Sequence, residues 1–170
     1  MNNPRKGGAD MTAADVEITS AHDVADYFIA NADPDEGITN LKLQKLCSYA
    51  QAYFLALHGR RLFDASLEAW PHGPVIKKLY NLYRIHGKDK LSTDVQPGKE
   101  SRRPFTPEQL FVLETVNDYY GRYAASPLRN MSHNDFPGDF DGPKAVIPDA
   151  DIAAKFKENK VVKALLESFG

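Results

Sequence analysis

Apolar residues recur every three or four positions at Leu43, Leu46, Cys47, Ala50, Phe54 and Leu57, which places them on one stripe of a helix. Thr39 stands ahead of the run as an N-cap, and Gly59 follows it as a natural stop. This segment is predicted to be the central core helix. Before it, Ser20 caps a shorter helix, with Asp23 in the acidic place of a capping box. Val24, Tyr27 and Phe28 share one face, and the helix ends near 31–33, ahead of Pro34.

After Gly59 the helical period stops. Leu62, Leu67, Ala69 and Trp70, with turn residues from Asp64 to Ser66, predict a short hairpin or extended segment. Pro74 is expected to open a third helix at its first position, with Val75, Leu79, Leu82 and Tyr83 inward and Gly87 at its end. Thr106 and Gln109 form a second capping box around Pro107, ahead of a stripe of Leu110, Leu113, Val116 and Tyr120. Ser126-Pro127 repeats the device for a short helix to about 134. In the tail, Ile152 and Phe156 are out of phase with Val161, Val162, Leu165, Leu166 and Phe169, so a break is expected around Glu158-Asn159.

These elements predict a mainly α fold: a single compact domain of about six helices, with a short extended or hairpin segment after the second. Residues 1–19 are polar, contain Pro4 and Gly7-Gly8, and read as a flexible leader. Residues 20–157 form the helical domain and 158–170 a C-terminal helical extension. The polar 87–104 connection is long for a compact domain, a feature of mobile or functional loops.

Charge narrows the range of partners. With 21 Lys and Arg against 23 Asp and Glu, the chain lacks the basic excess of a dedicated nucleic-acid binder. Basic pairs at Arg60-Arg61, Lys77-Lys78 and Arg102-Arg103 keep open the alternative of a DNA-binding regulator of its own operon, if they share a surface. One cysteine cannot form an internal disulfide. No run is long and apolar enough for a bilayer, and the N-terminus has no apolar core of a signal peptide. Together these features predict a cytoplasmic protein with no membrane partner.

The search for chemistry yields little. The five histidines show no i, i+4 pair for zinc. Placing Gly142 at the sixth position of a calcium loop puts Pro137 first and Pro148 twelfth, so both end ligands fail. Cys47 lies on the apolar stripe, where a thiol is a small core residue. There is no nucleophile elbow, phosphate-cradling loop or dinucleotide fingerprint. No catalytic residue, metal or cofactor is therefore predicted. The segment Trp70-Pro71-His72-Gly73-Pro74 has two readings: a loop anchored into the core, or a partner-binding anchor, since Trp and Tyr dominate interface hot spots. Tyr80, Tyr83 and Arg84 extend such a surface.

Three blocks carry a resemblance. Thr39-Asn40-Leu41-Lys42-Leu43-Gln44-Lys45-Leu46, continuing through Tyr49-Ala50-Gln51-Ala52, resembles the "LKLQKLxYYAQ" opening of the SocA-like, Panacea-domain antitoxins, which include phage-associated GepA-like proteins. The stretch from Gly59 to Tyr80 is similar to that family's "GRPLFDxxxEAWxxGPVxxxLY", with Arg61 where Pro is common. Ser132-His133 is similar to a Thr-His that precedes Pro-Trp, although Phe136-Pro137-Gly138 lacks the Trp. The resemblance spans about 22–156. It implies an antitoxin that binds a protein toxin encoded by an adjacent gene, an ATP-dependent protease of the ClpXP type as a further partner, and no catalytic residues.

Overall fold

A computed structural model describes residues 18–91 and 104–169. Seven α-helices and one small sheet make up the described part, which is mainly α as predicted. Most of the leader and the middle of the 87–104 connection lie outside the described residues.

Helix α1 (Ala21–Ala30) is capped by Ser20, whose hydroxyl accepts from Asp23 N at 3.0 Å. Helix α2 (Asn40–His58) is capped by Thr39 and closed by Gly59 at φ 72°, a left-handed position that glycine takes without strain. α2 is the axis of the molecule. It touches each of the other six helices, so it is buried on nearly every side and not along one stripe. Leu57, placed on that stripe, is only half-buried near the exposed end. Enclosure also takes polar side chains inside: Gln44, Lys45, Ser48 and Gln51 are all buried.

A hairpin follows: strand β1 (Leu67–Trp70) and strand β2 (Gly73–Val75) pair antiparallel, with Ala69 opposite Pro74. Pro74 therefore lies in a strand and does not begin a helix. β2 is an edge strand, where the missing N–H of proline is tolerated. Helix α3 (Lys77–Tyr83) starts three residues later and runs into a 3-10 turn at Arg84–His86. Leu79 and Tyr83 face inward as expected, but Leu82 is 38% exposed.

Helix α4 (Pro107–Tyr120) shows the full capping box of Thr106 and Gln109. Its inner face uses Val112, Leu113, Val116 and Tyr120, whereas Leu110 lies outward. Helix α5 (Ala125–Asp135) begins one residue before Ser126, and Ala124 is the cap residue without a side-chain bond. Ser126 and Pro127 fall inside the first turn, where missing N–H bonds cost nothing. Strand β3 (Val146–Ile147) adds to the far side of β1, giving the order β2-β1-β3.

Helices α6 (Asp149–Phe156) and α7 (Lys160–Phe169) divide the tail at the expected break, which makes seven helices where about six were predicted. Asn159 restarts the chain: its Oδ1 accepts from Val161 N and Val162 N at 3.0 and 3.1 Å. The core between these helices is aromatic. Tyr49 stacks on Tyr120 at 3.9 Å, and Phe136 and Phe156 meet edge-on at 4.7 Å.

Candidate functional site: an aromatic groove beside a clamped hairpin

Side chains of α2 hold the segment between 59 and 76 in place. Gln51 accepts from Leu62 N and Phe63 N through one oxygen, and donates through its nitrogen to the carbonyls of Phe63 and Ala65. One turn pair earlier on the same face, Gln44 Oε1 accepts from Ile76 N at 2.9 Å, while its amide nitrogen donates to Asn40 Oδ1. Lys45 Nζ donates to Pro74 O at 2.9 Å from a fully buried position. Burial, and then the nearby Arg129 charge, push the Lys45 pKa down to about 7.

From the other side, α5 holds the hairpin tip. His133 lies 2.8 Å from Pro71 O through Nε2 and 2.8 Å from Arg129 O through Nδ1. A neutral imidazole carries one N–H, so both carbonyls are bonded together only by the doubly protonated ring. Arg129 Nε donates to His72 Nδ1 at 2.8 Å. Burial, followed by the Arg129 and Lys45 charges, holds the His72 pKa below its usual value. Gly73 closes the arrangement at φ 107°, and a Cβ there would stand 2.5 Å from Ser132 Oγ and 3.1 Å from Lys45 Cε. Angle and space both require glycine.

The clamp leaves one side of the hairpin open. Leu41, Trp70, Pro71, Val75 and Tyr80 supply the apolar part of a groove of about 340 Å³, near the low end of the roughly 300–1,000 Å³ usual for binding clefts. Trp70 is half-buried, its ring 4.8 Å from that of Tyr80, and its Nε1 donates to Glu68 Oε1 at 2.9 Å. Lys144 Nζ lies 4.0 Å from the Trp70 ring centroid, within cation–π range. Arg84 and Lys88 are the two charged residues among the described lining, and both are cationic.

The structure brings Trp70, His72, Tyr80 and Arg84 together at this groove. Gly73 and Pro74, also predicted to contact a partner, are buried and do not line it. Tyr83 is different: it is fully buried, so it belongs to the core and offers nothing to a partner. The reason is helical phase, since Tyr80 and Arg84 are four apart on one face and Tyr83 turns inward with Leu79. Sequence reasoning missed Asn40, Leu41 and Gln44 in the lining, and Lys45 and Arg129 behind it. A readable signal existed for two of these: Gln44 and Lys45 interrupt the apolar residues of the predicted central helix.

Of the basic pairs, Arg60-Arg61 faces carboxylates. Arg60 lies 3.6 Å from Glu108, and Arg61 is paired with Asp149 at 2.7 Å and Asp64 at 3.2 Å. Arg102-Arg103 lies outside the described residues. Among the described residues, no cluster of three or more His, Cys, Asp or Glu is placed to hold a metal, and no helix is long and apolar enough to cross a membrane. Cys47 is buried, which raises its thiol pKa.

The three resembling blocks thus meet in space: Gln44 and Lys45 on α2, the hairpin between them and α5, and Ser132-His133 against the hairpin tip. The family described as Antitoxin SocA-like, Panacea domain matches residues 43–137, from within α2 to just past α5. The chain is also 36% identical over 127 residues to Antitoxin SocA of Caulobacter vibrioides (strain NA1000 / CB15N), a match that covers 70% of this chain and 68% of that relative. No solved structure matches. The chain belongs to the SocA-like, Panacea-domain antitoxin family.

Proposed function

We propose that this protein is the antitoxin of a toxin–antitoxin pair and neutralises a protein toxin, encoded by an adjacent gene, by direct binding at the Trp70–Tyr80 groove. The observation that carries the site is an aromatic pair left accessible where the clamped hairpin meets α3. Trp70 and Tyr80 are both half-buried, whereas most large aromatic side chains of the domain are sealed inside. Pre-organised aromatic anchors are the residues that most often dominate protein–protein affinity. Membership of an antitoxin family, and the name of the relative, supply the kind of partner.

The mechanism is occlusion of the toxin's active surface, with hand-over of the bound toxin to an ATP-dependent protease of the ClpXP type. A complex of this kind buries about 1,600 Å² in total, more than the groove alone supplies. The surrounding faces of α3 and α5 would complete it.

The test is co-expression of the chain with the neighbouring gene product. Co-purification, rescue of growth, and loss of both on Trp70→Ala with Tyr80→Ala support the reading. A harmless neighbour that does not bind, or a folded double variant that still rescues, would end it. Hand-over is read separately, as toxin half-life in cells with and without the protease.

A further inference from the structure

The groove carries information about what enters it. At about 340 Å³ the groove is small, and Leu41, Trp70, Pro71, Val75 and Tyr80 give it its apolar lining. The backbone beside it is engaged already, because Pro74 O and Ile76 N are bonded to Lys45 and Gln44. A partner strand therefore cannot add to that stretch, and recognition falls to side chains.

The two charged residues of the groove's described lining are cationic. Arg84 and Lys88 line it, and Lys144 stands over the Trp70 ring. The nearby carboxylate of Glu68 is bonded to the indole N–H. His72 accepts a bond from Arg129 at its Nδ1, so it adds no acceptor for a cationic partner there.

We infer that the Trp70–Tyr80 groove receives a short acidic segment of the partner protein, with one aromatic or branched aliphatic side chain seated against Trp70 and Tyr80 and flanking Asp or Glu carboxylates against Arg84, Lys88 and Lys144. This rests on the reading of the groove as a partner-binding site and adds the chemistry of the segment that fills it. Complementary charge orients the segment and speeds its encounter, while the buried side chain supplies most of the holding energy. Nucleic acid fits less well. Three cations about a short groove do not make the extended track that follows a phosphate backbone, and the chain as a whole has a net charge of −2.

The experiment is selection of a random dodecapeptide display library on the full chain, with parallel binding of a mixed-sequence single-stranded oligonucleotide. The enriched peptides should share an aromatic or branched aliphatic residue flanked by Asp or Glu. The best of them should bind at least tenfold more weakly to Trp70→Ala and to Arg84→Glu, and should weaken as salt is raised. Arg84 is exposed, so Arg84→Glu keeps the test valid if Trp70→Ala fails to fold. Three results would each overturn the inference: no enrichment, enrichment of peptides without carboxylates, or oligonucleotide binding that depends on Trp70 and Arg84. Co-purification with the neighbouring gene product is scored apart. If the toxin binds through Trp70 and no acidic peptide is selected, the antitoxin reading stands and only the acidic segment is lost. If acidic peptides bind and the neighbour does not, the reverse holds.

Discussion

Lys45 donates to the carbonyl of Pro74 at 2.9 Å, joining the middle of the central helix to the edge strand of the hairpin from a position with no solvent exposure. Its pKa is about 7 in the fold, below the ordinary 10.5, so the unfolded chain binds more protons between those values. Stability from this group therefore rises with pH above about 7, at up to roughly 1.4 kcal/mol per pH unit. Cys47 and the buried tyrosines act in the opposite sense at higher pH, because their pKa values are raised in the fold. The effect is best read between pH 7 and about 8.5, as the difference between wild type and Lys45→Met in urea titrations. Wild type should gain on the variant as pH rises. A constant difference would contradict the buried, partly neutral amine.

Gln51 serves four backbone groups of the 62–65 segment, all from inside the core. Gln51→Leu would leave two buried N–H groups without partners, at about 1–3 kcal/mol each. The expected loss is therefore about 2–6 kcal/mol, measured by denaturant unfolding. A loss below 1 kcal/mol would mean that the segment is held by other means.

Tyr83 is buried with a hydroxyl that has no hydrogen-bond partner among the described residues. Tyr83→Phe removes an unsatisfied polar group and keeps the ring, so stability should be unchanged or higher by about 1 kcal/mol. Tyr83→Ala should cost about 3–5 kcal/mol through the cavity it leaves. Thermal unfolding of the two variants checks both. Toxin binding by Tyr83→Phe should match wild type, in contrast to Tyr80→Ala.

His133 holds the hairpin tip through Pro71 O and its own helix through Arg129 O. His133→Phe removes the ring nitrogens from both carbonyls without changing the elements on either side. The expected result is faster hydrogen exchange at the amides of His72 and Gly73, with a global transition that stays cooperative. Unchanged exchange there would show that Lys45 and Gln44 hold the hairpin without help from α5.

Much of the fold was legible because its signals are local. Thr39, Gly59, Ser20, and Thr106 with Gln109 mark helix ends through bonds made within one turn. The break at Asn159 followed from two apolar sets out of phase. The Pro74 expectation failed for the same reason that the others succeeded: proline suits a first helical turn and an edge strand alike, and only pairing with Ala69 distinguishes them. At the candidate site, the sequence drew attention to Trp70, His72, Tyr80 and Arg84, and also to Tyr83, although the helical phase of that run already turned Tyr83 inward with Leu79.

By itself, the sequence determined a mainly helical domain, its principal caps, its family and an aromatic segment beside a glycine-proline pair. Tertiary structure alone decided that α2 is enclosed on almost all sides, that Gln44, Lys45 and Gln51 turn inward to bind distant backbone, and that half-buried Trp70 and Tyr80 meet ring to ring. Caps and periodicity act over three or four residues, whereas these bonds join positions 11 to 32 residues apart. Contacts at that distance exist only once the chain has closed on itself.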